Sequence, residues 1–143
     1  MRTTFEDLVV FRRALELMKA IYHVTESFPR SEQYGLTSQL RRASIGILSN
    51  LAEGQGRLTD GEWRQALSHA RGSLLEIEAQ IIAAKELRFV TDEGHDSIRE
   101  LCRRTAKPLT GLINYVKRQE ENRSFSGRRA SSTVNRPPST RSP

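Results

Sequence analysis

The chain has 143 residues, enough for one domain with its own core, and its single cysteine, Cys102, excludes an intrachain disulfide and fits a reducing compartment. Its formal charge of +6 is uneven: from Lys117 onward seven basic residues stand against two acidic ones, whereas residues 1–116 carry 16 basic and 15 acidic side chains. That distribution excludes a uniformly basic nucleic-acid-binding domain, and no apolar run approaches the ~20 residues that cross a bilayer.

Leu, Ala, Arg, Glu and Gln abound while strand-building residues are sparse, so the elements are expected to be helices. The first is predicted from Thr4, which can cap it with Asp7 three residues later. Leu8, Phe11, Leu15, Met18, Tyr22 and Thr25 alternate steps of three and four. Ala14, Ile21 and Phe28 widen that stripe, and Pro29 follows its end. A second helix starts near Leu36, with an extra turn around Ser31 to Tyr34. It buries Leu36, Leu40, Ala43, Ile47, Leu48 and Leu51, and fades at Gly54 and Gly56.

Thr59 and Glu62 form a capping box for the third helix, whose apolar ridge is Trp63, Leu67, Ala70, Leu74, Ile77, Ile81 and Ala84. Thr91 can open the fourth, with Ile98, Leu101, Cys102, Thr105, Leu109, Leu112, Ile113 and Val116 inward. Pro108 lies within it, and a mid-helix proline predicts a kink or break near Thr105. Four single-ridged helices with short connections predict an all-α, antiparallel up-down-up-down bundle over residues 1–119. Residues 120–143 are rich in Ser, Arg and Pro and are expected to form a disordered basic tail.

The stretch "SNLAEGQGR" looks most like chemistry. Gly56 and Gly61 have the spacing of a phosphate loop, but Glu62 and Trp63 follow where Lys and Ser or Thr are required. A dinucleotide fingerprint needs glycine where Thr59 stands. A di-iron bundle needs Glu-x-x-His on two helices, and the nearest spacing is the single Asp92 to His95. Cys102 lies on an inward ridge, where an inert thiol is expected. No catalytic, metal or cofactor site is therefore expected. Asn50 and Glu53 on the second helix and Ser73 and Glu76 on the third flank their apolar seams, beside Gly46 and Gly72. Mid-helix glycines cost about 1 kcal/mol relative to alanine, so close helix approach is expected at both, with the four polar residues forming a structural network across it.

The segments "FEDLVVFRRALEL", "FPRSEQYGLTSQLRRASIGILSNLAEGQGR" and "GSLLEIEAQIIAAKEL" resemble, in order and spacing, the bacterial 23S rRNA intervening sequence protein family. Phe28-Pro29, Gly35-Leu36, Gln39, Arg41-Arg42, Ser49-Asn50, Ala52-Glu53-Gly54, Arg57, Gly72-Ser73 and Glu76 carry the match, while Phe11 stands where a tryptophan is the family's pattern. The resemblance implies a small cytosolic bundle that assembles as a ring-like homopentamer and has no enzymatic activity. The accessory protein of diversity-generating retroelements, a distant relative, implies nucleic acid and a partner enzyme as binding partners.

The expected function is accordingly a non-enzymatic, cytoplasmic homo-oligomer that binds RNA or DNA without sequence selectivity. Its candidate contacts are Arg41 and Arg42 on the second helix, Arg57 at its end, and Arg64 and Arg71 one heptad apart on the third. No platform of aromatic rings for stacking bases is expected. The alternative is a protein-interaction scaffold, suggested by apolar residues outside the ridges: Val9, Val10, Leu17, Ile45, Leu75 and Ile82. Those positions suit a subunit interface better still.

Overall fold

A computed structural model describes Phe5 and residues 8–134, with side chains through residue 130. Four α-helices follow one another: α1 (Val9–Thr25), α2 (Leu36–Gln55), α3 (Asp60–Glu86) and α4 (Asp92–Val134). A 3₁₀ turn, Arg30–Glu32, precedes α2. Each helix packs against its neighbours in sequence, and α1 against α4 closes the square. This is the up-down-up-down bundle that the four ridges predict.

Local chemistry sets several boundaries. The Thr59 hydroxyl accepts from the Glu62 N–H at 3.2 Å and caps α3. Thr91 does the same for α4, accepting from the Gly94 N–H at 3.1 Å. At α2 the cap comes from the 3₁₀ turn, where the Glu32 carboxylate accepts from the Leu36 N–H at 3.0 Å. A Cβ on Gly35 would stand 2.5 Å from that carboxylate oxygen, so a larger residue there would have to displace the capping glutamate. Thr4 and Asp7, the expected cap of the first helix, lie outside the described residues. Within them α1 begins at Val9 after a turn through Phe5, whose ring meets Phe11 edge-on at 5.2 Å.

The ridges of α2, α3 and α4 pack as predicted, with Leu40, Leu51, Leu67, Ile77, Ile81, Ile98 and Leu109 among the fully enclosed side chains. On α1 the buried residues are Val10, Ala14, Leu17, Ile21 and Thr25, of which Ala14, Ile21 and Thr25 belong to the predicted stripe. Phe11, Leu15 and Met18 are half-buried, and Tyr22 is exposed. The buried face is thus shifted within the broad predicted stripe, toward Val10 and Leu17. Val10 and Leu17, expected outside the core, are at its centre.

Two expectations for α4 are corrected. Of the kink or break expected at Pro108, the break does not occur: the helix is continuous from Asp92 to Val134. The Thr105 hydroxyl, one turn earlier, donates to the Leu101 carbonyl at 2.8 Å, and Thr105 and Leu109 are buried on either side of the proline. Packing of the flanking turns thus offsets the missing N–H. Residues 120–134, assigned to a disordered tail, continue the same helix. The turn from Glu120 to Arg123 is anchored by two pairs to the start of α3: Arg64 Nε–Glu120 Oε2 at 2.7 Å and Arg123 Nε–Asp60 Oδ2 at 3.0 Å. Composition registers polarity, not this anchorage. Residues 135–143 of the expected tail lie outside the described residues.

Candidate nucleic-acid interface

The five arginines singled out from the sequence do not form one patch. Arg41 is a latch: its Nε donates to the Thr25 hydroxyl at 2.9 Å, and its guanidinium lies 4.6 Å from the Tyr22 ring centre. It ties α2 to the last turn of α1. Arg57 pairs with Glu53 one turn back on α2. Arg64 holds Glu120 with both a 2.7 Å and a 3.4 Å bond, and that hydrogen-bonded guanidinium keeps the Glu120 carboxyl below its ordinary range. Arg42 and Arg71 are exposed, and among the described residues neither has a carboxylate partner. Of the five, these two remain free to meet an external anion.

The polar residues flanking the α2–α3 seam separate into two grooves. One, about 310 Å³, is lined by Asn50, Glu53, Arg57, Glu62 and His69. The other, about 680 Å³, is lined by Gln39, Arg42, Gly46, Ser73, Glu76 and Gln80. Asn50, Glu53, Ser73 and Glu76 are not joined to one another by hydrogen bonds. Asn50 Nδ2 donates within α2 to the Gly46 carbonyl at 2.8 Å, and the bond that crosses the seam is Gln80 Nε2 to Gln39 Oε1 at 3.2 Å.

The glycines divide in the same way. A Cβ on Gly46 would lie 3.2 Å from Ser73 Oγ, and one on Gly54 would lie 2.8 Å from Trp63 Cδ1 and 3.2 Å from the Ala66 Cβ. Both mark close approach of α2 to α3. Gly72 faces open space, with nothing within 4 Å of a Cβ, so no contact among the described residues explains it. "SNLAEGQGR" is thus a helix end seated on the next helix. A cleft of about 420 Å³ adjoins this corner, lined by Leu8, Gly54, Trp63, Leu112, Tyr115 and Arg123 among others.

The feature that sequence reasoning missed lies on α4. Because that helix runs unbroken past residue 130, Tyr115, Arg118, Asn122, Phe125 and Arg129 recur at steps of three and four and share one face. All five are exposed, with Tyr115 at 48% and Phe125 at 59%. The Tyr115 ring meets Trp63 edge-on at 6.4 Å, and the Arg129 guanidinium lies 5.3 Å from the Phe125 ring centre. This row alternates rings and cations, and Glu121, three residues after Arg118 and four before Phe125, borders it. The spacing was readable, but only on a chain known to be helical there.

Cys102 is fully enclosed, and burial pushes its thiol up to about 12. His95 is buried at the start of α4, with Nδ1 at 2.9 Å from the Asp96 carboxylate. Among the described residues no three His, Cys, Asp or Glu side chains are grouped to hold a metal. None of their helices is long and apolar enough to cross a membrane.

An all-helical bundle with arginine-studded outer faces is the class of protein these observations define. Residues 6–111 match the model of the 23S rRNA-intervening sequence protein family. The chain belongs to that family. The structure is also similar to a crystal structure from Bacteroides thetaiotaomicron described as a protein of unknown function from the S23 ribosomal protein family. The TM-score is 0.68 at 20% identity, covering 74% of this chain and 96% of that one. That likeness concerns the fold. The chain matches none of the curated proteins compared with it.

Proposed function

We propose that this protein is a non-enzymatic, cytoplasmic homo-oligomer, a pentamer in keeping with the family resemblance, that binds RNA or DNA electrostatically and without sequence selectivity. The observation that carries this reading is the placement of charge. The last turns of α4 bear Lys117, Arg118, Arg123, Arg128 and Arg129 against Glu120 and Glu121, and reach past the start of α3. Arg42 and Arg71 add cations on the body. In a ring each would be repeated by every subunit, so a modest patch becomes a strong local field. An enclosed, poorly ionised Cys102 supports the non-enzymatic part, because the thiolate and not the thiol is the nucleophile.

Titrating salt against binding to single- and double-stranded RNA and DNA tests this. Affinity should fall linearly with the logarithm of salt concentration, and Arg42→Gln with Arg71→Gln should flatten the slope by roughly one unit for each phosphate left without its cation. No binding at low salt would end the reading.

A second reading, a scaffold that docks a partner protein, is favoured by Leu75 (56% exposed) and Ile82 (41%) on the outer side of α3. They stand one heptad apart. A pull-down with the chain shortened after Arg123 separates the two: lost nucleic acid with retained protein partners supports the scaffold.

A further inference from the structure

We infer that the Tyr115–Arg118–Asn122–Phe125–Arg129 face of α4 is a binding site for single-stranded nucleic acid, in which exposed bases stack on the rings and the arginines meet the backbone. This rests on the proposed nucleic-acid function and adds which surface and which strand form it uses. The five side chains cover 14 residue steps, about 21 Å of helix at ~1.5 Å per residue, enough for a run of several nucleotides.

Alternation is what selects the ligand. Phosphates need only cations, and a duplex hides the faces of its bases. Two solvent-exposed rings interleaved with guanidinium groups match a strand whose bases are unstacked, because every base offers a π-face and every link a negative charge. Arg129 already lies against the Phe125 ring, so a base stacked on that ring meets a pre-placed cation. Tyr115 is steadied from beneath by Trp63.

The same spacing of three and four also suits a seam between two helices, but the charge argues against a second copy here. Pairing this face with itself brings Arg118 toward a second arginine, against the one flanking carboxylate of Glu121. A single strand instead brings a negative charge with every link.

The test uses the full chain and a short labelled single strand beside the matching duplex, followed by fluorescence anisotropy at two salt concentrations. Phe125→Ala and Tyr115→Ala should each weaken single-strand binding about tenfold, the loss of one stacked base. Duplex binding and the salt slope should be unchanged. Phe125→Trp should restore or exceed the original affinity. Phe125 projects beyond the bundle, so its variants keep the fold even if Tyr115→Ala loosens the packing on Trp63. If the unaltered chain binds but both alanine variants bind a single strand equally well, the stacking face is wrong and the electrostatic reading stands. If the unaltered chain binds neither form at low salt, both fall. A change of subunit count in Phe125→Ala, seen by light scattering, would make this face a subunit seam and overturn the inference.

Discussion

Gly54 and Gly72 look alike in the sequence, yet substitution should move stability in opposite directions. At Gly54 an added methyl meets the Trp63 ring at 2.8 Å. Overpacking of that kind costs about 1–3 kcal/mol, which outweighs the up to ~1 kcal/mol gained in helix propensity. Gly54→Ala should therefore lower the urea midpoint. Gly72→Ala meets nothing and should gain about 0.5–1 kcal/mol. If it destabilises instead, a helix of another subunit lies against that face. Cys102 gives a second prediction at this scale. Its thiol is raised from an ordinary 9.0 to about 12 by burial, so between those values the unfolded chain has released a proton that the folded chain retains. Stability is then fully present below about pH 9 and falls as pH rises toward 12, by up to ~1.4 kcal/mol per unit. Unfolding midpoints against pH, with Cys102→Ala as the reference lacking this slope, check it. A thiol reagent at neutral pH should label Cys102 only in denaturant.

Helix ends hold the next level of information. The end of α3 has a Schellman arrangement, the Phe89 N–H bonding the Ala84 carbonyl and the Arg88 N–H the Lys85 carbonyl, both at 2.9 Å. Arg88 takes the left-handed position, φ 62°, where glycine is the usual residue. Arg88→Gly should stabilise the protein by about 1 kcal/mol, read from thermal or urea unfolding. No glycine signals this end in the sequence, whereas Thr59 and Thr91 announce the starts of α3 and α4. The far end of α4 behaves differently. Beyond Arg123 the described side chains are exposed, so ending the chain there should leave the midpoint unchanged within ~0.5 kcal/mol while reducing the helical circular dichroism. Ending it after Gln119 also removes Glu120 and Arg123, the two clips to α3, and should lower the midpoint.

At the scale of the whole molecule, the outer face of α3 stands apart from the rest of the surface. Ser68, Gly72, Leu75, Ala79 and Ile82 lie there, small or apolar and exposed, while the opposite face of α3 fills the core. Under the proposed oligomer, Leu75→Glu combined with Ile82→Glu should convert the assembly to monomers by light scattering. The helical spectrum should be retained, since neither side chain supports the fold within one subunit. A preserved oligomer would move the subunit interface elsewhere. Arg42 lies off that row, on the α2–α3 groove, so Arg42→Gln should change salt-dependent binding without changing assembly, whereas Arg71, four residues before Leu75, borders the row.

The sequence by itself determined that the chain makes four helices, where α3 and α4 start, and which ridges of α2, α3 and α4 are buried. These are local properties: a cap acts within one turn, and a strong ridge leaves one way to bury it. On α1 two apolar stripes overlap, Phe11-Leu15-Met18 beside Val10-Ala14-Leu17-Ile21, and only packing against α2 and α4 chose the second. Tertiary structure likewise decided which arginines are free, because Arg41, Arg57 and Arg64 are claimed by Thr25, Glu53 and Glu120, two of those partners lying on other helices. It also decided the length of α4. Glu120 and Arg123 fasten to residues some 60 positions earlier, and with those turns anchored the helix carries Phe125 and Arg129 onto the line of Tyr115 and Arg118. Periodicity registers neighbours along the chain, whereas contacts between distant residues enter only once the helices have packed.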